Sequence, residues 1–317
     1  MELHQVRYVI AVVDHDGFTR AATALGVTQP SLSQGVRALE AELGVELFER
    51  LGRKVRLTAA GEAFAGPARQ LLRAAAMARN AVAGVGDLVT GTLDLVALPT
   101  LAIDPLATLV AAFRAAYPGI VIRVAEPEDG TAVAALVRTG RAEIGLTDLP
   151  LRGDALVTEP LATQDLLAVC PPGTALEPTG ASIADIARGP LVTTPPGTST
   201  RRLLDRAFAN AGLRPMIAVE LSQRDAIVPL VLAGAGSSLL PRPLAQDAAA
   251  RGAAIATLNP PISRALGIVR RDTMLSPAAR AFLDLAKSAM EPASSLGDNR
   301  GPSGRSMRSM PARRHHE

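Results

Sequence analysis

The stretch GVTQPSLSQGVRALEAELG, from Gly26 to Gly44, decides how the amino-terminal part of this chain folds. Its apolar residues recur at spacings of four and three, which predicts a helix with one buried face. Thr28 is a suitable N-cap, because its hydroxyl can accept a hydrogen bond from a free amide of the first turn. Pro30 is tolerated there because the N–H that it lacks would have no helical partner. The predicted buried face consists of Leu32, Val36 and Leu39, and the outer face of Gln29, Pro30, Ser33, Gln34 and Arg37.

Two more helices precede this one. The first is predicted from the spacing of Leu3, Val6, Val9, Ile10 and Val13. The second begins at Thr19 and ends just before Gly26, where a left-handed residue can close it. Helices joined by such a tight turn form a helix-turn-helix, whose second helix enters the DNA major groove amino terminus first. A glutamine side chain can form hydrogen bonds with the edge of adenine, proline can pack against the thymine methyl group, and arginine can form hydrogen bonds with guanine or phosphate. The predicted contacts are Thr28, Gln29, Pro30, Ser31, Ser33, Gln34 and Arg37. At this point a helical hairpin with a solvated polar face remains the alternative.

The next segment, LGVELFERLGRKVRLTAAG, favours the DNA-binding alternative. It contains the apolar residues Leu43, Val45, Leu47 and Phe48, which are predicted to point inward. A turn at Gly52 and alternation afterwards indicate a small β-hairpin, or wing. The basic residues at the wing are Arg50, Arg53 and Lys54, which can contact the DNA backbone or enter the narrow minor groove. A basic tip directly after a helix-turn-helix is a strong indication of DNA binding.

These segments resemble the LysR-type transcriptional regulators. The resemblance is carried by FTRAATALGVTQPSLSQGVRALEAELGVELFER, residues 18 to 50, and GRKVRLTAAG, residues 52 to 61, and it extends more weakly to about residue 290. It implies a winged helix-turn-helix (mainly α), a long dimerising linker helix, and a two-lobed α/β effector domain like a periplasmic binding protein. The sequence departs from the family pattern at Gly35, where a larger polar residue is common. We therefore expect a looser helix there and one DNA contact fewer.

Residues 59 to 90 are predicted to form the linker helix. Apolar residues alternate steps of four and three, as in the contact line of a two-stranded coiled coil: Phe64, Ala68, Leu71, Ala75, Ala78, Val82, Val85 and Val89. Several of these residues are alanine, so we expect neighbouring domains to add to a homodimer or homotetramer. Pro67 is expected to bend this helix or to shift its start. A helix that packs only within its own chain is the alternative.

From residue 91 onward, strand and helix patterns alternate, which predicts mostly parallel sheets. We predict four parts: a DNA-binding domain at 1–58, the linker helix at 59–90, an effector domain at 91–292 and a disordered basic tail at 293–317. Within the effector domain, lobe 1 spans about 91–162 and 267–292, and lobe 2 spans about 163–266. Crossing strands join the lobes and leave a cleft between them. The cleft is lined by the carboxyl ends of strands, where open α/β sheets bind ligands.

The predicted cleft residues follow strands, and several precede helices. A hydroxyl beside free amides at a helix start is a natural site for a carboxylate or another anion. The candidates are Thr100, Leu101, Thr147, Asp148, Thr194, Thr198, Ser199, Ser222 and Gln223. For the hydroxyl residues, an ordinary helix N-cap is the alternative. In the family that this sequence resembles, the cleft binds a small metabolite, often an anionic one.

Composition and motifs exclude several other classes. The 317 residues are 48% apolar with a net charge of +3, which equals the charge of the tail alone, so the overall charge says little about DNA binding. Cys170 is the single cysteine, and the four histidines are too scattered for a metal site. With no secretion signal and no membrane-spanning run, we expect a cytoplasmic protein. We also expect no cofactor and no enzymatic activity.

The predicted function is therefore an effector-responsive regulator that binds double-stranded DNA. The alternative is a small-molecule binding protein whose amino-terminal helices mediate protein association.

Overall fold

The computed structural model describes residues 1–51, 54–83, 91–151, 156–177 and 179–290. The wing tip with Arg53, the end of the predicted linker with Val85 and Val89, and the tail at 293–317 lie outside these residues. The predicted order of a winged helix-turn-helix, a linker helix and a two-lobed α/β domain is confirmed. Among the described residues, no helix has both the length and the apolar character needed to cross a membrane.

Residues 1–58, which we call the reading head, contain three helices, α1 (Leu3–Asp14), α2 (Phe18–Leu25) and α3 (Gln29–Leu43). Gly26 closes α2 in the left-handed region, and the Thr28 hydroxyl accepts a hydrogen bond from the Ser31 amide, so both predicted caps are confirmed. The core includes Val9, Val12, Ala21, Leu32, Val36, Leu39 and Leu47. The predicted inward positions of Leu43 and Val45 are wrong, because these side chains are 41% and 43% exposed.

The wing is an antiparallel pair of β1 (Phe48–Leu51) and β2 (Lys54–Leu57), as predicted. The long helix α4 (Ala59–Ala83) follows it and begins well before Pro67, so Pro67 does not set its start. Gly61 lets α4 approach the reading head closely, because a Cβ there would lie 2.1 Å from the Leu47 carbonyl oxygen. Ala68 of α4 packs against Val6 and Ile10 of α1.

The predicted coiled-coil line is therefore partly used inside the chain. Phe64 and Ala68 belong to the interface with the reading head, whereas Leu71 is 39% exposed and Ala78 is exposed. The first turns of α4 thus hold the reading head, and its middle turns leave the apolar side chains of Leu71 and Ala78 exposed.

Lobe 1 is built around three parallel strands and the helices that cover them. The strands are β3 (Gly91–Ala97), β4 (Ile120–Ala125) and β5 (Ile144–Leu149), with β3 between the other two. The helices are α5 (Pro99–Leu101), α6 (Ala107–Ala116), α7 (Gly130–Arg138) and the final α12 (Pro277–Met290), with a π turn at Ala102–Leu106 between α5 and α6. Phe113 and Phe282 are fully buried at the centre of this lobe, with ring centroids 5.5 Å apart.

Lobe 2 repeats this design with shorter strands. Its strands are β7 (Leu191–Thr193), β8 (Ile217–Glu220) and β9 (Ser238–Pro241), and its helices are α8 (Ile183–Ala187), α9 (Ser199–Asn210), α10 (Ile227–Leu232) and α11 (Arg242–Ala250).

Two long strands cross from one lobe to the other. β6 (Leu156–Cys170) and β10 (Ala254–Arg271) pair antiparallel along most of their length, and they connect β5 of lobe 1 to β9 of lobe 2 in one six-stranded sheet. The register of this pair shifts between Leu266 and Gly267. A Cβ at Gly267 of β10 would lie 2.6 Å from a Leu149 side-chain carbon of β5 and 3.0 Å from the Glu159 carbonyl oxygen of β6, so a larger residue would collide with both neighbouring strands.

Arginines fix lobe 1 against the linker helix. Arg73 of α4 donates a hydrogen bond to the Gly140 carbonyl at 2.9 Å. Arg69, which is 8% exposed, donates both of its terminal nitrogens to the Asp14 carboxylate at 2.9 and 2.6 Å. Arg141 of lobe 1 lies 3.8 Å from the same carboxylate. Reading head, linker and lobe 1 therefore meet at Asp14.

Gly35 has a steric explanation. Helix α3 runs unbroken through this position, and a Cβ there would lie 2.7 Å from Cδ2 of Tyr8. The three atoms nearest to that Cβ all belong to Tyr8, which packs against the core of the reading head. Glycine at this position makes room for the tyrosine ring of α1.

We predict that the effect of Gly35→Ala depends on Tyr8. Alanine favours a helix by about 1 kcal/mol over glycine, but overpacking against the ring costs about 1 to 3 kcal/mol. In the parent chain we expect no gain in the free energy of unfolding. In a Tyr8→Ala background the same change should add about 1 kcal/mol. Urea denaturation of the four proteins measures this coupling, and an equal effect in both backgrounds would contradict it.

Candidate functional site

The first candidate site is the exposed start of α3. Gln29, Gln34 and Arg37 are exposed, as are Thr28, Pro30 and Ser31. The first turn of α3 contains no acidic residue. This surface can therefore approach phosphates without charge repulsion, while the opposite side of α3 is fixed in the core.

Ser33 corrects the predicted outer face. Its side chain is only 3% exposed, because it lies one turn from Val36 and faces the edge of the core. It accepts a hydrogen bond of 2.8 Å from the Gln29 side-chain amide. Ser33 thus holds Gln29 in place and does not itself reach the surface.

The basic residues of the wing are only partly described. Arg50 and Lys54 lie in β1 and β2, where the register pairs Arg50 with Val55 and Leu51 with Lys54. Arg53 lies outside the described residues.

The second candidate site is the cleft between the lobes, where predicted residues from both lobes come together. Asp148 at the end of β5 accepts a hydrogen bond of 2.7 Å from the Ser199 hydroxyl at the start of α9. It also accepts one from the hydroxyl of its buried neighbour, Thr147, at 3.2 Å. The Thr194 and Thr198 hydroxyls lie 2.7 Å apart, and Thr198 also caps α9 through the Arg201 amide. The N-cap alternative is thus correct for Thr198.

Three residues from this prediction are placed elsewhere. Leu101 has no exposed surface, because it belongs to the core of lobe 1, and its amide donates to the Leu98 carbonyl. Ser222 and Gln223 are exposed in the turn after β8 and do not line the cavity described below. The residues directly after this turn that line the cavity are Arg224 and Asp225.

A buried arginine that the sequence patterns did not reveal lies behind Thr100. Arg264 of β10 is 7% exposed, and it donates hydrogen bonds to the Thr100 hydroxyl at 2.7 Å and to the Gln164 side-chain oxygen at 3.0 and 2.5 Å. Burial lowers its pKa to about 10, while attraction by Asp148 raises the pKa and repulsion by Arg224 lowers it. Arg264 therefore stays charged near neutral pH and places a positive charge beneath the cleft.

The cleft contains a cavity of about 210 Å³. Its wall contains three threonines (Thr100, Thr194 and Thr200), two arginines (Arg224 and Arg251) and two aspartates (Asp225 and Asp247), together with apolar side chains, among them Ile103, Ile227, Val228, Leu240 and Leu244. The carboxylate of Asp247 lies 3.6 Å from the guanidinium of Arg251. A cavity with a few polar groups on an apolar wall is typical of a small-molecule site.

Comparison with known proteins agrees with this arrangement. Residues 3–62 match the family model for the bacterial regulatory helix-turn-helix protein, lysR family, and residues 86–291 match the LysR substrate binding domain. The regulator IlvR from Caulobacter vibrioides is 31% identical over 290 residues, which cover 90% of this chain and 97% of IlvR. A probable hydrogen peroxide-inducible genes activator from Mycobacterium xenopi is 37% identical over 168 residues, 53% of this chain and 88% of that protein.

Among solved structures, a cysteine variant of full-length OxyR from Pseudomonas aeruginosa superimposes with a TM-score of 0.71 at 26% identity, over 91% of this chain and 94% of OxyR. Fold and sites together define a DNA-binding regulator whose activity is modulated by a small molecule. The chain belongs to the LysR family of transcriptional regulators.

We predict that Arg264→Lys destabilises the effector domain. Lysine cannot donate to Thr100 and Gln164 with the same planar geometry, and an unsatisfied buried polar group costs about 1 to 3 kcal/mol. The matched control is Arg242→Lys, since Arg242 is about half exposed and lies 3.8 Å from Asp165. Thermal and urea unfolding should show the loss for Arg264→Lys alone, and equal losses in both variants would contradict the assignment.

Proposed function

We propose that the exposed start of α3 lies in the major groove and that the wing contacts the DNA backbone or the adjacent minor groove. The observation that carries this proposal is a polar helix start, without acidic residues, held on a packed three-helix core. The proposed groove contacts are Thr28, Gln29, Pro30, Ser31, Gln34 and Arg37, and the proposed wing contacts are Arg50, Arg53 and Lys54. Ser33 supports Gln29 from below.

The alternative, in which the amino-terminal helices only associate with proteins, predicts an apolar surface on α3. The exposed residues of its first half are polar or proline, which favours DNA. Salt dependence separates the two, because a protein that neutralises phosphates loses affinity steeply as salt rises.

We predict different effects for two basic residues. Arg37→Ala should cost about 1 to 3 kcal/mol and relax preference at one base pair, because an arginine that bonds to a base edge carries sequence information. Lys54→Ala should weaken binding to all duplexes alike and reduce the salt slope by about 1. Gel-shift titrations on specific and scrambled duplexes measure both.

The control for these titrations is Arg206→Ala, which removes the same charge from an exposed position of α9. It should leave DNA binding unchanged. If Arg37→Ala and Lys54→Ala bind every duplex like the parent, the assigned contacts are wrong.

We further propose a homodimer or homotetramer assembled through two exposed apolar surfaces. One is the middle of α4 around Leu71. The other is β4, the edge strand of the six-stranded sheet, where Val121 and Val124 are 56% and 39% exposed. An edge strand with exposed apolar side chains is a ready surface for another chain.

We predict that Val121→Lys weakens self-association by roughly tenfold or more, equivalent to ~1.4 kcal/mol, because an unpaired charge is costly to bury. Ala209→Lys, at an exposed position of α9, is the matched control. Light scattering after size exclusion should show a smaller mass for Val121→Lys at low concentration. An unchanged mass would exclude β4 from the interface.

The effector is proposed to bind in the 210 Å³ cavity, against Thr100, Thr194 and Arg224. Thr147, Asp148, Thr198 and Ser199 shape the cleft around it. Such a ligand acts only through its different affinity for two arrangements of the lobes. As a regulator of transcription the protein is proposed to work in the cytoplasm, with no catalysis involved.

The peroxide response named in some relatives is not part of the proposal. Cys170 is buried in β6, and burial raises the pKa of its thiol, which lowers the fraction of reactive thiolate. As the single cysteine it also has no partner in the chain for a disulfide bond.

A further inference from the structure

A carboxylate of lobe 1 already bonds to the arginine of the effector cavity. Glu128 precedes α7 in lobe 1, and Arg224 begins a short 3₁₀ helix, Arg224–Ala226, in lobe 2. Both terminal nitrogens of Arg224 donate to the Glu128 carboxylate, at 3.1 and 2.5 Å. The Ser199 amide donates to the Glu128 backbone carbonyl at 3.0 Å. Glu128 is therefore a direct link between the two lobes.

The two partners differ in exposure. The Arg224 side chain is 11% exposed and lines the cavity, whereas the Glu128 side chain is 48% exposed. The Arg224 Nε is buried and has no hydrogen-bond partner among the described residues. A half-exposed carboxylate gives up little free energy when it returns to water, since exposed ion pairs contribute about 0 to 1 kcal/mol. The buried guanidinium, by contrast, is left unpaired unless another anion replaces Glu128.

We propose that Glu128 is a built-in competitor of the effector, which is a compact carboxylate with a short apolar tail. The effector carboxylate takes the place of the Glu128 carboxylate on Arg224 and so breaks this ion pair, one of the side-chain links between the lobes. This inference rests on the proposed location of the effector in the cleft.

Size and wall chemistry define the ligand class. A cavity of about 210 Å³ is smaller than the pockets of roughly 300 to 1,000 Å³ that hold drug-sized ligands. Its apolar wall favours a hydrocarbon tail, and its hydroxyls can donate to carboxylate oxygens. The buried charge of Arg264 next to Thr100 adds attraction for an anion.

Competition has a measurable consequence. When only a fraction of the molecules are in the binding-competent arrangement, the apparent affinity is the intrinsic affinity multiplied by that fraction. Removing the Glu128 charge should therefore raise affinity for a carboxylate by about 2- to 6-fold, as expected for an ion pair of about 0 to 1 kcal/mol. It should leave affinity for a neutral ligand unchanged.

The experiment uses the full chain and three probes, isobutyrate, isovalerate and pivalate, each paired with its neutral amide. Calorimetry or ligand-observed NMR measures binding to the parent, to Glu128→Gln and to Glu126→Gln. Glu126 is exposed in the same loop and makes no ion pair within 4.0 Å among the described residues, so it is the matched control. We expect at least one carboxylate to bind, tighter binding to Glu128→Gln alone, and no comparable binding of the amides.

Each opposite result overturns the inference. Equal gains in Glu126→Gln and Glu128→Gln would show a general charge effect, and amides that bind as well as acids would refute the carboxylate class. Failure of all three acids to bind Glu128→Gln at millimolar concentration would also refute it. Thr100→Val and Thr194→Val test the location separately: if a probe binds but both leave its affinity unchanged, the cleft assignment fails. If Thr100→Val and Thr194→Val lower the affinity for a probe while Glu128→Gln leaves it unchanged, the cleft assignment holds and only the role of Glu128 as a competitor is refuted.

Discussion

The antiparallel pairing of β6 with β10 is the constraint on which the effector domain depends. These two strands belong to both lobes, so the lobes share one sheet and cannot separate without breaking that ladder. Arg264 lies on β10 within this pair and fixes Thr100 and Gln164 around the cleft. The register of this ladder shifts at two places, between Thr257 and Ile262 in lobe 2 and between Leu266 and Gly267 where the strands enter lobe 1. Of these two places, only the one near Gly267 lies where the strands pass from one lobe to the other, so a change in the angle between the lobes would bend the ladder there.

Charge balance in the cleft depends on groups from both lobes. Arg264 and Arg224 repel each other, while Asp148 attracts Arg264 and Glu128 pairs with Arg224. Lobe 1 contributes these two carboxylates and lobe 2 the two arginines. A buried guanidinium is unstable without a nearby anion. If the lobes move apart, Arg224 and Arg264 lose the lobe 1 carboxylates and need another anion in their place. A ligand carboxylate is such a substitute, which links the chemistry of the effector to the geometry of the domain.

The sequence predicted the reading head and the alternation of strands and helices well, because both depend on local periodicity. The sheet was predicted to be mostly parallel, but it is mixed, because the long strands β6 and β10 pair antiparallel with their neighbours. Thr28 and Gly26 cap helices, and Leu32, Val36 and Leu39 fill the core, as their spacing indicates. Ser33 was misplaced because a polar residue at the edge of a helical face can be buried by its neighbours. Arg264 and Arg224 were missed for a different reason. Their partners are far away along the chain, and only the crossing of β6 and β10 and the approach of the lobes bring them together.

The attachment of the linker helix α4 limits how a movement at the cleft can be transmitted to the DNA-binding reading head. The described hydrogen bonds from α4 to the effector domain go to Gly140 and Thr273, which are both in lobe 1. Asp14 of the reading head likewise meets Arg141 of lobe 1. Reading head, linker helix and lobe 1 are thus held together as one unit. Under the proposal, replacement of Glu128 by the effector carboxylate on Arg224 displaces lobe 2 relative to that unit. Within one protomer such a displacement leaves the reading head where it is. A response at the DNA therefore requires a second protomer in contact with lobe 2, so that the assembly carries the movement of one cleft to the spacing between reading heads.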